Sequence, residues 1–443
     1  MLFTTDKQTL EDLNIFGKHG GNALFNIYNR CITRGGASIM EEMFRYPLSD
    51  ERAINQRIGI IKYFAASEKE FPFNATHFDA AETYLNNTDE RTRLSSGDQT
   101  LTRKLGNMIA VDVETQIIHK GVQAVTEILK TVGGFVATLH TPFYQAEKEA
   151  VVDMVSEPGL LPVLNSSIRL SQPDMVQFDT LLRFRYRDSI RKLLRHIYFL
   201  DVYMAVAKVA VAHNFVFPEA MSNSNYLVKL NGVYHPQVKN AVPNTIHISP
   251  EGNVIFLTGA NMAGKSTFMK SLSIALYTAH MGFPVAAKQM EFVVLDGIYT
   301  TINLPDNLGM GASHFYAEVL RVKKIAHELS QNKKLFIVFD ELFRGTNVKD
   351  AYEATIAITT AFASRKNSLF VISTHIIEAG EVLKERCANV RFLYLPTRMN
   401  GSQPVYTYTL EEGITNDRHG MIIISNEGIL NILEAGLKQR SVV

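Results

Sequence analysis

Residues 258–270 read TGANMAGKSTFMK, which sets Gly259, Gly264, Lys265 and Ser266 at the spacing G-x-x-x-x-G-K-S/T. The run before them, NVIFLT, has the apolar character of a buried strand, and the run after them has helical character. A strand, a glycine-rich turn and a helix in that order restrict a chain to an α/β layout, because the turn must overhang the edge of a sheet. The glycines let the backbone wrap an anion, so that consecutive N–H groups and the helix N-terminus point at negative charge. A glycine loop arising by chance lacks those flanking elements. The expected ATP cradle runs through Gly259, Ala260, Asn261, Met262, Ala263, Gly264, Lys265, Ser266 and Thr267. Lys265 would reach the β- and γ-phosphates, a catalytic contact, and the Ser266 hydroxyl would ligate Mg2+.

After residue 213, short apolar runs alternate with helical stretches: NVIFLTG, FVVLDGIYTTI, LFIVFD, LFVIST and VRFLYL. Runs of that length, rich in Val, Ile and Phe and interleaved with helices, predict a largely parallel sheet. In LFIVFD the apolar residues 336–339 lead into Asp340 and Glu341. Two acids then stand at the carboxyl end of a buried strand, where sheets of this kind bind ligands. Asp340 suits holding Mg2+ through water, and Glu341 suits orienting or deprotonating the water that attacks ATP. Paired acids in such a place can also be merely solvated, and the upstream loop decides between the readings. The run FVIST leads into Thr374 and His375. That imidazole would sense the γ-phosphate, position water, or serve a structural role.

The first half reads as helices. Residues 50–64, DERAINQRIGIIKYF, carry apolar side chains at helical spacing after an Asp fit for an N-cap. Residues 104–132 and 174–212 keep that periodicity over many turns, as arms or levers do. Before them, LNNTDERTRLSSGDQT at 85–100 predicts an exposed loop, and NFVFPEAMSNSN after residue 213 predicts a connector. The expected organisation is an all-α core and lever domain, 1–213, preceding an α/β P-loop NTPase domain, 214–443.

Bulk properties narrow the class further. A length of 443 residues allows two or three domains and a large core. A net charge of +1 shows no overall basic excess, although a local cationic patch can hide inside a neutral total. Cys31 and Cys387 are far apart and form no metal-ligand spacing, which fits a reducing cytoplasm. The start, MLFTTDKQTLEDL, does not read as a signal peptide, and no stretch is apolar enough for long enough to span a bilayer. A cytoplasmic location with no membrane partner is expected.

GANMAGKST, the run DELFRGTNVKDA at 340–351, STH at 373–375 and GASHFYAEV at 311–319 together resemble the MutS family of mismatch-repair ATPases. Upstream, TRGGASIMEEMFRYPLSDERAINQR resembles that family's core domain, and LDVYMAVAKVA at 200–210 resembles the end of its lever helices. His235-Pro236 and Val242-Pro243-Asn244 resemble the strand and loop leading into its ATPase domain. Tyr408, Leu410 and Gly413 fit its late Y-x-L-x-x-G. The resemblance covers the chain from about residue 25 onward. It implies an ABC-like ATPase domain, mainly parallel in its sheet, with a C-terminal helical dimerisation segment. It also implies that Asn261 is the family's P-loop asparagine, that His375 is its switch histidine, and that Ser313 touches the γ-phosphate of the partner subunit's ATP. Gly311, Phe315 and Glu318 accompany Ser313 in that segment, and a homodimer follows. Ser313 also suits a helix N-cap, and both roles can hold.

Departures from the family are equally specific. Ala260 stands where Pro is usual and Ala263 where Gly is usual; neither is a required glycine. The N-terminal mismatch-reading and connector domains are expected to be lacking, as is a nuclease-like extension. Phe217-Pro218-Glu219 fits the reading motif by letter only and is expected to be structural.

For DNA, the candidate surface is FDTLLRFRYRDSIRKLLRH at 178–196, where Arg187, Arg191 and Arg195 recur at i, i+4 and i+8. Such a stripe can neutralise phosphates without reading sequence, or can be a salt-bridged face. The reading reached is a dimeric ATP switch acting on double-stranded or branched DNA, in mismatch repair or related DNA maintenance, without mismatch reading of its own. The alternative is a P-loop ATPase switch acting on a protein or ribonucleoprotein partner.

Overall fold

A computed structural model describes residues 2–17, 21–95, 108–167, 169–222, 224–302, 314–400, 403–415, 428–429 and 432–433. The chain forms two compact units. One comprises Met1–Leu24, Tyr46–Asn55 and His213–Val443; the other comprises Phe25–Arg45 and Gln56–Ala212.

The first unit holds the strands. In chain order they are β1 (Glu219–Met221), β2 (Val228–Val233), β3 (Asn244–Ile248), β4 (Val254–Gly259), β5 (Gln289–Val293) and β6 (Gly297–Thr301). There follow β7 (Leu335–Phe339), β8 (Leu369–Ser373), β9 (Val390–Leu395), β10 (Thr397–Asn400), β11 (Gln403–Tyr406) and β12 (Glu411–Glu412). The main sheet has the order β12-β9-β4-β8-β7-β6. All its pairings are parallel except that of β12 with β9. Every residue of β4, β7 and β8 is buried, which is why their sequences are continuously apolar rather than alternating. A second, mixed sheet has the order β1-β5-β2-β3. The run FVVLDGIYTTI, which reads as one strand, is divided between the two sheets. Its break is fixed by hydrogen bonds from Leu295 N to the buried His280 ring, 2.9 Å, and from Asp296 N to Lys334 O, 2.7 Å.

Helix Lys265–His280 touches strands of both sheets and is buried on nearly every side, as a helix between two layers must be. Helices His314–Ser330, Val348–Ala363 and Glu378–Arg386 supply the other part of the core. There Phe362 stacks between Phe339 and Phe370, with ring centroids 6.0 and 4.7 Å away. The N-terminus joins this unit rather than the helices that follow it. Thr4 pairs with Gly297 of β6 through Thr4 N to Asp296 O, 2.8 Å, and Ile298 N to Thr4 O, 3.0 Å. Helix Lys7–Asp12 then lies against β6.

Among its described residues the second unit contains helices and no strands. Helix Glu51–Ala65 runs into it, capped by Asp50, which accepts from Ala53 N at 2.8 Å. The longest helix is Met108–Ala137. The helical stretch at 174–212 is not continuous: Gln172–Asp179 passes through a π-helical turn, Thr180–Arg185, before Arg187–His213. The wider turn shows in Tyr186 N donating to Leu181 O at 2.8 Å. It carries Arg183 inward onto Asp179, 2.7 Å, with both side chains fully buried. Arg183 Nη1 also donates to Thr92 Oγ1 at 2.8 Å, so the described end of the 85–100 segment is clamped rather than loose. Local π turns of this kind mark places where a side chain must be re-aimed.

Candidate functional site

The carboxyl ends of β4, β7 and β8 lie side by side, in register through Leu257↔Ser373 and Phe339↔Ile372. Residues from three distant parts of the chain meet there. From β4 the backbone turns at Gly259 (φ +150°) and Gly264 (φ +99°) into helix Lys265–His280. A Cβ at Gly264 would stand 3.0 Å from the Tyr408 ring, so both the dihedral and the space require glycine. No side chain caps the first turn of this helix and no acidic residue lies in it. Its N–H groups and dipole therefore present positive potential to a ligand. The buried Lys265 Nζ donates to Gly259 O at 2.8 Å and Ala260 O at 3.2 Å. Burial lowers its pKa, and the Asp340 and Glu341 carboxylates oppose that shift.

Asp340 follows β7 directly. Its backbone N–H donates to Thr301 O of β6 at 2.9 Å, and its Oδ2 accepts from Ser266 Oγ at 2.5 Å. Burial raises its pKa, and the Ser266 bond works against that. Glu341 adopts φ +56°, which turns it away from its neighbour and toward the end of β8. Its Oε1 lies 2.9 Å from His375 Nε2 and its Oε2 accepts from Arg344 Nη1 at 3.0 Å. The His375 bond, ahead of any burial cost, holds the Glu341 carboxyl below its ordinary value, so it is ionised at neutral pH. Against an ionised carboxylate, His375 Nε2 carries the proton. Phe343 also takes a left-handed backbone, φ +63°, although it is 3% exposed and packs on Phe315, centroids 5.9 Å apart. Two such residues in a three-residue span are local strain of the type found beside functional groups.

A cavity of about 590 Å³ opens over this corner, large enough for a nucleotide. Ala260, Asn261, Met262, Gly264, Lys265, Ser266, Thr267 and Glu341 line it, while Ala263 is buried beneath the turn. His235, Val238, Asn240, Val242, Asn244 and Tyr408 also line it, with Tyr408 next to Gly264. Asn244 ties the two contributing segments together: its Nδ2 donates to Tyr408 O at 2.9 Å, and its Oδ1 accepts from Leu410 N at 2.8 Å. In the sequence, His235, Asn244 and Tyr408 stand out only as family markers. Nothing local links Asn244 to Tyr408, 164 residues further on.

A hydroxyl and a carboxylate oxygen, Ser266 and Asp340, are hard donors suited to Mg2+, which takes few protein ligands and completes its shell with water and phosphate. Among the described residues no group of three or more His, Cys, Asp or Glu could hold a metal by itself. Ser313 and Gly311 lie outside the described residues, and so does most of the C-terminal segment expected to dimerise.

The arginine stripe is largely engaged within its own unit. Arg187 Nε donates to Leu85 O at 2.7 Å, and Arg191 hydrogen-bonds Asn86 Oδ1. Arg187 therefore caps the C-terminal end of helix Ala75–Asn86, where a cation meets an orphan carbonyl and the negative dipole end, while Arg191 holds the Asn86 side chain beside it. Arg195 lies 3.4 Å from Glu42 and over the Phe199 ring. Arg191 and Arg195 remain exposed, whereas Arg187 is partly covered. Phe217-Pro218-Glu219 runs into β1, where Glu219 pairs with Glu291 of β5.

Comparison with known proteins bears on the same half of the chain. Residues 255–438 match the family model of MutS domain V. The chain is similar to the DNA mismatch repair protein MutS of Fusobacterium nucleatum, 30% identical over 250 residues, covering 55% of this chain and 27% of that protein. It is also similar to MutS of Petrotoga mobilis, 29% identical over 297 residues, covering 65% of this chain and 35% of the other. A third relative, MutS of Persephonella marina, is 27% identical over 263 residues, 57% of this chain and 30% of its own length. The chain thus spans about a third of the length of the curated relatives it matches. No helix among the described residues is long and apolar enough to cross a membrane.

Proposed function

We propose that this chain, whose residues 255–438 match the MutS domain V model, is a MutS-family dimeric switch operated by Mg2+-dependent ATP binding and hydrolysis. The observation that carries this is the convergence of Lys265, Ser266, Asp340, Glu341 and His375 at adjacent strand ends beneath one cavity. In this reading the turn at 259–265 cradles the phosphates and Lys265 releases Gly259 O and Ala260 O to meet the β- and γ-oxygens. Ser266 and Asp340 would hold Mg2+, which would supply positive charge to the phosphate oxygens. Glu341, fixed by His375 and Arg344, orients the attacking water. The cavity wall that includes Tyr408 and His235 receives the base and sugar. The Ser313 segment completes the partner subunit's site, which makes the dimer part of the chemistry.

On DNA, the cationic groups still exposed, Arg191 and Arg195, contact phosphate and carry no sequence information. Binding without mismatch discrimination follows, in mismatch repair or related DNA maintenance in the cytoplasm. The engagement of Arg187 by Leu85 O and of Arg191 by the Asn86 side chain favours a second reading, in which the switch acts on a protein or ribonucleoprotein partner. Steady-state ATPase measured with and without homoduplex, mismatched and branched DNA, at two salt concentrations, separates the two. Stimulation that falls steeply with salt supports DNA; no stimulation and no binding at low salt refutes it. Mixing Ser313→Ala with Glu341→Gln protein tests the shared site, because strictly additive activities are incompatible with it.

A further inference from the structure

We infer that Asp12, with Thr9 and the Asp6–Arg321 pair, is a positioning element for Asp340, so that the N-terminal helix belongs to the ATPase machinery. The inference rests on the reading of Asp340 as a Mg2+ ligand.

The link runs through the C-terminal end of β6. Asp340 has its backbone N–H on Thr301 O, 2.9 Å. Three residues, Thr300, Thr301 and Ile302, are held in turn by side chains converging from two sides. Asp12 Oδ2 accepts from Thr300 Oγ1 at 2.8 Å and from Ile302 N at 2.9 Å. Thr9 Oγ1 accepts from Thr300 N at 3.0 Å. From helix His314–Ser330, Arg321 donates through Nη2 to Thr300 O at 2.7 Å and through Nε to Thr301 Oγ1 at 3.1 Å. Asp6 in turn pairs with Arg321 and with Lys324, the latter at 2.6 Å. Asp12 and Thr9 are buried, so these bonds are not exchanged with water and act in a medium of low dielectric.

A strap that only covered the edge of β6 would need backbone pairing, which Thr4 already provides. Burying a carboxylate is costly unless its bonds are needed. Here they fix the one strand end whose carbonyl orients the backbone of Asp340. Loosening that end frees the Asp340 carboxylate relative to Ser266 while leaving the turn at 259–265, on β4, untouched.

The test uses the full chain. Asp12→Asn and Arg321→Lys are titrated with Mg2+ in a steady-state ATPase assay, and separately with a fluorescent ATP analogue in EDTA. Losing one or two buried hydrogen bonds should raise the Mg2+ concentration for half-maximal activity by roughly three- to tenfold. Affinity for the analogue in EDTA should stay within about twofold of the parent. Asp12→Ala should shift the Mg2+ requirement further than Asp12→Asn, and Thr300→Val replaces it if it does not fold. An unchanged Mg2+ requirement in folded variants overturns the inference. So does a parallel loss of affinity in EDTA, which marks a general structural defect. Asp340→Asn is run alongside: if it too leaves the Mg2+ requirement unchanged, the metal reading of Asp340 has failed and the inference falls with it. If Asp340→Asn shifts the requirement and the Asp12 and Arg321 variants do not, only the network has failed.

Discussion

Replacing Glu341 with Gln removes a charge and almost nothing else. The amide oxygen can still accept from Arg344 Nη1, and the amide NH2 can donate to His375 Nε2 once that nitrogen gives up its proton. The backbone at φ +56° is unaltered, and the side chain is only partly buried, so stability should change by less than about 1 kcal/mol. Lys265, Ser266 and the helix N-terminus keep their geometry, so ATP affinity should stay within about threefold. Hydrolysis should fall by ~10²–10⁴-fold, the usual contribution of a positioned base, which is about 2.7–5.5 kcal/mol of barrier. Because the His375 bond depresses the parent carboxyl below its ordinary value of 4.5, Glu341 should impose no acid limb on the parent's pH–rate profile until pH falls below that value. Single-turnover hydrolysis with enzyme in excess, beside a fluorescent-nucleotide titration, reads the two effects separately. A single-turnover rate within threefold of the parent, with ATP fully bound, would refute the assignment of the water-orienting role to this residue.

Three further outcomes are expected. His280 is fully buried, its Nδ1 2.7 Å from Leu276 O, and burial brings its pKa from 6.5 to about 4. Below pH 6.5 the unfolded chain gains a proton that the folded chain refuses, so stability should decline by about 3 kcal/mol between pH 6.5 and 4. Urea unfolding of the parent and of His280→Gln checks this, and identical pH dependence in the two would contradict it. Phe343→Gly should relieve about 1–2 kcal/mol of left-handed strain but forfeit about 3–5 kcal/mol of aromatic packing. A net loss near 2–3 kcal/mol follows, and a stabilised variant in thermal melts would show that the strain was underestimated. If DNA is bound, Arg191→Ala and Arg195→Ala should each flatten the salt slope by up to about one unit, and Arg187→Ala should instead lower stability. An equal slope change for Arg187 would place it on the DNA.

What is readable in the sequence is local. The turn at 259–266 and the Asp340–Glu341 pair declare themselves, because G-x-x-x-x-G-K-S/T fixes four positions within eight and the two acids close a continuous apolar run. The strand end before His375 is legible for a similar reason, since β8 is a continuous apolar run. The cavity wall built by Asn244 and Tyr408 is opaque, because the two meet through a tertiary hydrogen bond with no periodic signal. The left-handed residues Glu341 and Phe343 give no warning either, as neither is Gly or Asn and only packing imposes those dihedrals. The arginine stripe is legible through helical periodicity, which puts three guanidinium groups on one face but is silent on the bonds that Arg187 makes to Leu85 O and Arg191 to Asn86 Oδ1. The interruption at 180–185 hides in the same way, because a π turn leaves the apolar pattern nearly intact.

The interleaving of the two units has a consequence for anyone dissecting the gene. The polypeptide passes from one unit to the other at residues 24, 45, 55 and 212. A truncation made at the visible change of sequence character, near residue 213, would therefore not liberate the intact strand-bearing unit. It would strip away Phe3, Thr4, Thr9 and Asp12, leaving β6 as a bare edge with Thr300 and Ile302 unsatisfied, a surface that recruits other strands. Arg321 would lose Asp6 in the same cut. Insoluble or inactive C-terminal fragments would then report a missing N-terminus rather than a missing helical unit. Supplying residues 1–24 and 46–55 back, joined by flexible linkers to residue 213, is the shorter route to a tractable fragment of this unit.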